Sequence, residues 1–381
     1  MEQLGRDYDA ILIIGASEQD ADLYYATRFW APDPFVFIQV PGEKLIVTTD
    51  LEVDRAKAES SVDRILRFTE YEERAKQKGI SEPSFIDVVA EVLNELGAKR
   101  LLVPGSMGLQ SADPLRERGF TLTFKRTPFF EERLVKSEEE IAWIEETQRW
   151  IERACDEAVL MIRESDIYKG LLYYDGKVLT SERIRQTIHM TLLEGDCIAQ
   201  RTIVAGGEDA VDPHHIGSGP LRPHQAIVLD IFPRSAKTGY FADMTRTVVK
   251  GKTPDALKRM YDAVLAAQER GIELVRDGAD GREIHKEVAA VLEKAGFETK
   301  RDGGRMQGFF HGTGHGVGLE IHEPPRISLK GSPLKQGNVV TVEPGLYYSG
   351  IGGIRIEDLV VVKEGGCRNL TFYPKALELS P

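Results

Sequence analysis

The sequence predicts a two-domain chain: an α/β unit over residues 1–132, then a larger α+β unit over residues 133–381. Three observations carry this. The chain has 381 residues, too many for one ordinary core. Its first 130 or so alternate short apolar runs with amphipathic stretches. From residue 133 onward the order is helices, strands, helices, strands, which suggests two related halves closing around one site.

In the first unit, Ala10 to Ile14 and Leu45 to Thr48 are rich in branched residues and read as strands. Leu51 to Ala58 reads as a short helix. Phe85 to Leu96 is a longer one, with Phe85, Val88, Val89, Val92, Leu93 and Leu96 on one face and Gly97 just past its end. Leu101 to Val103 is a further strand, stopped by Pro104 and Gly105. No GxGxxG or Walker pattern follows any of these strands, so nucleotide binding has no support.

The second unit opens at Arg133-Leu134-Val135-Lys136-Ser137. Ser137 with Glu140 makes a capping box. The helix it starts carries Ile141, Ile144, Ile151, Ala154, Ala158 and Ile162 at helical spacing, to about Arg163. Asp175-Gly176-Lys177 is a turn, and Ser181 caps a helix ending near Gly195. Short strands dominate from Arg201. Two more helices are expected: Pro254 to about Val275, with Thr253 as cap, and Arg282 to about Lys294. Val339 to Val362 reads as strands.

Composition excludes several classes. Hydrophobic residues make up 41% and charged ones 29%, a soluble balance. The formal net charge of −12 argues against nucleic acid or an anionic membrane as partner. The apolar run near the N-terminus is too short for a signal peptide or a membrane span. Cys155, Cys197 and Cys367 are far apart and form no CxxC pair, which excludes zinc knuckles and a disulfide framework and fits a reducing, cytoplasmic setting.

Chemistry concentrates in the second unit. His311 to Glu323 reads HGTGHGVGLEIHE, three of the eight histidines set among glycines. Helices and strands both suffer from that many glycines. Glycine does let backbone come close to an ion or a substrate. Four carboxylates, Asp230, Asp243, Glu343 and Glu357, stand beside apolar strand-like runs. An ionised carboxylate there is costly unless paired. Four of them with a histidine loop are better explained by metal than by salt bridges, and their charge matches two divalent cations. Oxygen-rich ligation with one imidazole suits Mn²⁺, Co²⁺ or Fe²⁺ better than a thiolate zinc site. Two ions close together can share a water, lower its pKa and hold a carbonyl for attack, which makes a hydrolase.

The blocks PHHIGSG, DIFPRSAKTGYFADMTRT, HGTGHGVGLEIHEPP, TVEPGLY and GGIRIED span about residues 200 to 360. They resemble the M24 pita-bread metallopeptidases: methionine aminopeptidase, Xaa-Pro aminopeptidase and Xaa-Pro dipeptidase (prolidase). The N-terminal 130 residues resemble, more loosely, the creatinase/prolidase N-domain. The resemblance implies metal ligation by Asp230, Asp243, His315, Glu343 and Glu357. In that picture Asp243 and Glu357 bridge two ions (Mn²⁺ or Co²⁺, otherwise Zn²⁺ or Fe²⁺), Asp230 holds one, and His315 and Glu343 hold the other. Glu343 also serves as the base for the bridging water, and His322 meets the substrate. His214 matches the histidine that faces the scissile bond, with its neighbour His215 as rival. His311 and Arg355 match positions of the Xaa-Pro branch that orient other site groups or bind the proline side. His189, His224 and His285 read as ordinary surface or packed histidines. One departure stands out. Asp230 and Asp243 lie two residues further apart than the family usually shows, with Phe232-Pro233-Arg234 where a glycine is usual. An insertion at a hairpin tip would absorb the difference.

The resemblance points to hydrolysis of Xaa-Pro bonds at the N-terminus of dipeptides or short peptides, and to a homodimer. An aminopeptidase acting on longer peptides is the nearest alternative. A non-catalytic binding module and a creatinase-like amidinohydrolase are more distant ones.

Overall fold

The computed structural model describes residue 4 and residues 6–379. It divides into two compact units, residues 1–133 and 134–381.

In the first unit, six strands form one sheet in the order Arg64–Arg67, Glu43–Thr48, Phe35–Val40, Ala10–Gly15, Arg100–Pro104, Thr121–Lys125. Ala10–Gly15 runs antiparallel to Phe35–Val40 and parallel to Arg100–Pro104. Side chains alternate across this strand, so each face builds its own core. Ala10 and Leu12 join Val36, Ile38 and the helix Phe85–Glu95 on one side. Ile11 and Ile13 join Phe35, Phe37 and Phe29 on the other. Ser84 caps Phe85–Glu95 by a capping box with Asp87. Phe85 was expected on the buried face; it is 37% exposed and stacks on Phe68 instead. The strand Phe35–Val40 at the centre of the sheet escaped the sequence reading.

The second unit begins with the helix Glu138–Arg163, capped by Ser137 and Glu140 as expected. It packs on Ser181–Glu194, and Asp255–Leu274 packs on Gly281–Lys294, so each half has a helix pair. Two caps differ from expectation. Thr180, not Ser181, caps Ser181–Glu194, accepting from Arg183 N–H. Pro254 stands at the N-cap itself, outside Asp255–Leu274, and the Thr253 hydroxyl makes no hydrogen bond.

Two antiparallel sheets carry the chemistry. Ile203–Gly206, Ile227–Ile231 and Met244–Lys250 make one, with Glu378–Leu379 added in parallel. Glu323–Ile327, Gly314–Gly316, Val339–Val342, Asp358–Lys363 and Gly366–Asn369 make the other. The segment leading into Asp358–Lys363 is stitched to the first sheet: Glu357 N–H donates to Thr245 O, and Thr247 exchanges hydrogen bonds with the backbone of Arg355, the last residue of the hairpin strand Gly352–Arg355. The longer Asp230–Asp243 connection is taken up beyond the ladder: Ile231 pairs with Met244, and the extra residues reach out to pair Arg234–Ser235 with Cys197–Ile198. All three cysteines are free thiols. Among the described residues no helix is long and apolar enough to cross a membrane.

Candidate metal centre

The ends of these strands open on a cavity of about 1000 Å³. Asp230, Asp243, His315, Glu343 and Glu357 all line it, as do His214, His311, His322 and Arg355. The residues singled out from sequence are therefore brought together, although 143 positions separate the first from the last. His215, the rival of His214, is not among the lining residues. Its Nδ1 accepts the Gly217 N–H at 3.0 Å.

Each ligand candidate is fixed by its strand. Asp230 lies within Ile227–Ile231, opposite Thr245. Asp243 immediately precedes Met244–Lys250, and Glu343 immediately follows Val339–Val342. His315 sits between two glycines in Gly314–Gly316. The need for glycine is plain at Gly314, where a Cβ would stand 1.9 Å from Thr341 O. Only the bare backbone allows His315 to lie this close to the neighbouring strand.

Asp243, His315 and Glu357 form a buried triad whose ligand atoms lie within 4.8 Å of one another. His315 Nε2 is 3.8 Å from Asp243 Oδ2 and 3.4 Å from Glu343 Oε1. Its Nδ1 lies 3.1 Å from Gly316 O. A carbonyl can only accept, so Nδ1 carries the proton and the Nε2 lone pair is left facing the carboxylate oxygens, where a cation could take it up. Burial holds the ring neutral, its pKa down to about 3. Asp243 Oδ1 and Glu357 Oε1 are buried without any hydrogen bond. Burial, and then the charges of their neighbours, pushes both carboxyls well above the usual range. Burial also lifts Glu343 to about 7. Crowded acids with bare oxygens, clustered with a neutral imidazole, fit divalent cations.

A second layer supports this cluster. Thr245 Oγ1 donates to Glu357 Oε2 at 2.7 Å. Arg355 Nη2 donates to Asp230 Oδ2 at 2.6 Å, and its Nη1 to the Tyr347 hydroxyl at 2.9 Å. His311 Nδ1 donates to Gly312 O, so its Nε2 accepts from the Tyr347 hydroxyl at 3.0 Å. Burial keeps His311 neutral too, at about 3. The chain Arg355–Tyr347–His311 thus has each donor matched to an acceptor. Sequence reasoning missed Tyr347 and Thr245. Thr245 could have been found, since it lies two residues after Asp243 and so on the same strand face. His322 stands edge-on to His315, ring centroids 4.3 Å apart. His285, read as packed, is buried and bonded to Thr313 within the histidine loop.

Arg201, Arg326 and Lys330 also line the cavity. Among the described residues, no hydrogen bond or ion pair engages their side chains. One cavity thus combines a crowded acidic centre with free cations.

The model of metallopeptidase family M24 matches residues 142–364. The chain belongs to metallopeptidase family M24. A similar relative is the Xaa-Pro dipeptidase of Pyrococcus furiosus, 28% identical over 346 residues, 90% of this chain and 88% of that one. Among solved structures, an X-Pro aminopeptidase from Thermotoga maritima superposes with a TM-score of 0.81 at 27% identity, covering 99% of this chain and 98% of its own. A Xaa-Pro dipeptidase from Bacillus anthracis gives 0.82 at 25%, covering 99% and 97%. The M24 member is a metallopeptidase with the pita-bread catalytic unit and creatinase-like N-terminal domain expected from its sequence.

Proposed function

We propose that this chain is a dinuclear Xaa-Pro dipeptidase. Asp243 and Glu357 would bridge two divalent ions, Mn²⁺ or Co²⁺. Asp230 would hold one, and His315 and Glu343 the other. The unbonded oxygens of Asp243 and Glu357, on two acids whose ligand atoms cluster within 4.8 Å of that of His315, support this set. Such a pair of ions, when bound, acidifies a water and polarises a carbonyl.

The residues do the rest. Glu343, which lines the cavity beside His315, takes a proton as attack begins and returns it to the departing amine. His322, exposed to the cavity and kept neutral by partial burial, donates to the oxygen that gains charge. His214 would face the scissile bond from the turn that follows Gly207–Val211. His311, Tyr347 and Arg355 hold Asp230 in place. A bond before proline has no N–H, and the ring fixes φ. A site that polarises the carbonyl needs neither the proton nor a flexible backbone.

The observation that carries the dipeptide reading is the set of free cations in the cavity. Arg326, with Lys330 and Arg201, can pair a substrate carboxylate close to the metals. A dipeptide places its carboxylate there, and a longer peptide carries it away. The test uses metal-loaded protein with Ala-Pro, Ala-Pro-Ala and Met-Ala-Ser in parallel. Ala-Pro should be cleaved fastest. Cleavage of Ala-Pro-Ala but not Ala-Pro makes the protein an aminopeptidase, and cleavage of Met-Ala-Ser alone sinks the proline assignment. The homodimer is checked by light scattering, where a monomer at assay concentration rejects it.

A further inference from the structure

One buried ion pair beside the site belongs to none of these roles. Lys136 Nζ bonds Glu323 Oε1, and each side chain is only 1% exposed. A buried pair is poor value for stability alone, since well-packed apolar residues do as well or better. Its position suggests another use.

Glu323 directly follows His322 and opens the strand Glu323–Ile327. There it pairs with Gly316, the neighbour of His315. It therefore closes the loop 317–322 at its far end. The near end is held by Val317 N–H on Val339 O. In between, Gly318 lies against the Glu323 carboxylate, so closely that a Cβ there would come within 2.5 Å of Oε1. Gly318 O in turn accepts from Phe241 N–H, two residues before Asp243.

Lys136 comes from the segment just before the first helix of the catalytic unit. Its N–H donates to Gly337 O, and Asn338 Nδ2 donates to Leu134 O. Both anchors stand just before Val339–Val342, the strand that delivers Glu343. One ammonium thus ties the base of the Glu343 strand to the end of the His322 loop.

We infer that Lys136 and Glu323 are positioning residues: their ion pair sets the height of the His322 loop against the strands carrying Asp243 and Glu343. The inference rests on the reading of His322 given above. It assigns the pair no contact with substrate or metal.

The experiment compares Lys136→Met, Glu323→Gln, the double variant and Lys136→Arg in the metal-loaded protein. The substrate is the peptide that the unaltered protein cleaves fastest. Each single neutral variant should lose on the order of 10- to 100-fold in kcat, the scale of an ångström's misplacement. KM and bound metal, by elemental analysis, should stay near the unaltered values. The double variant should lose no more than the worse single one, because both break one interaction. Lys136→Arg, which keeps the charge, should recover much of the rate. Unchanged kcat in metal-replete variants would overturn the inference, and so would losses that multiply in the double variant. If all neutral variants shed their metals or fail to fold, the double one included, the pair is scaffold and the inference falls. His322→Ala is run alongside. Should it keep full kcat, the reading of His322 fails and takes this inference with it. Should it lose kcat while the ion-pair variants do not, only this inference fails.

Discussion

Glu357 and Asp358 are adjacent in sequence, and both are buried. Asp358 is fully provided for. Arg246 pairs with Oδ1 at 2.8 Å, while Lys375 at 2.7 Å and Asn369 at 2.9 Å hold Oδ2. Although burial opposes it, Arg246 and Lys375 bring its carboxyl below the ordinary range. Glu357 has one hydrogen bond, from Thr245, and one bare oxygen. Its carboxyl lies well above the range because burial and Glu343 both disfavour its charge. Glu357 stands just before the strand Asp358–Lys363, and extended backbone turns neighbouring side chains to opposite sides, so Glu357 meets the cavity and Asp358 the scaffold. Buried charge alone does not mark a site. A buried charge left short of partners does.

The sharpest way to break this contrast is to neutralise each acid in turn. Glu357→Gln should abolish turnover. Losing several kcal/mol of metal-derived stabilisation, at tenfold per 1.36 kcal/mol, means on the order of 10³-fold in kcat/KM. Asp243→Asn should do the same. Both should make the metal-free protein more stable at neutral pH, because they remove a carboxyl whose ionisation burial disfavours. Asp358→Asn should do the reverse. It leaves Arg246 with backbone carbonyls but no counter-charge and should cost about 3 kcal/mol in denaturant unfolding, with activity per folded molecule little changed. A Glu357→Gln protein that is both active and less stable would make Glu357 another scaffold acid.

The second effect is the pH dependence of metal-free stability. Glu343 is raised from 4.5 to about 7 in the folded chain. A raised acid binds more protons folded than unfolded, so its contribution is present below pH 4.5 and lost as pH rises toward 7. His315 and His311 are depressed to about 3, so their contribution is present above pH 6.5 and lost as pH falls toward 3. Divalent ions relieve the carboxylates and compete with protons for every ligand. The Tm difference between metal-loaded and metal-free protein should therefore widen from pH 5 to pH 7.5. A gap that narrows over that range would show that the acids are not the ligands.

The contrast between Glu357 and Asp358 also explains what the sequence could tell. Asp230, Asp243, Glu343 and Glu357 announced themselves because an acid beside an apolar run is expensive, and the glycine-rich loop because few folds want it. The helix Glu138–Arg163 was legible from its capping box and its spacing. Asp358 looked no different from Glu357, since its partners Arg246 and Lys375 lie 112 residues before and 17 after it. Tyr347 was invisible for the same reason: a tyrosine within the short strand Gly345–Tyr348 joins a hydrogen-bond network only when Arg355 and His311 are folded onto it. The strand Phe35–Val40 was lost because both its faces are buried, which removes the polar alternation a reader looks for.

The smallest expected effect comes from Thr245. Its hydroxyl donates to Glu357 Oε2 and accepts from Arg355 Nε at 3.2 Å, so it joins the two sides of the cluster. Thr245→Val keeps the shape of the side chain and removes only those bonds. Glu357 then has neither oxygen oriented, and Arg355 loses one of the contacts that aim it at Asp230. Groups that orient metal ligands typically matter by 10- to 100-fold in metal affinity. Because Arg355 keeps its bonds to Asp230 and Tyr347, the lower end applies here, about tenfold. Metal titration of the apoprotein measures it directly, and kcat at saturating metal should change far less than the affinity. A Thr245→Val protein with unaltered affinity would mean that strand geometry alone aims Glu357. A fall in kcat at full metal occupancy would instead give Thr245 a part in the chemistry itself.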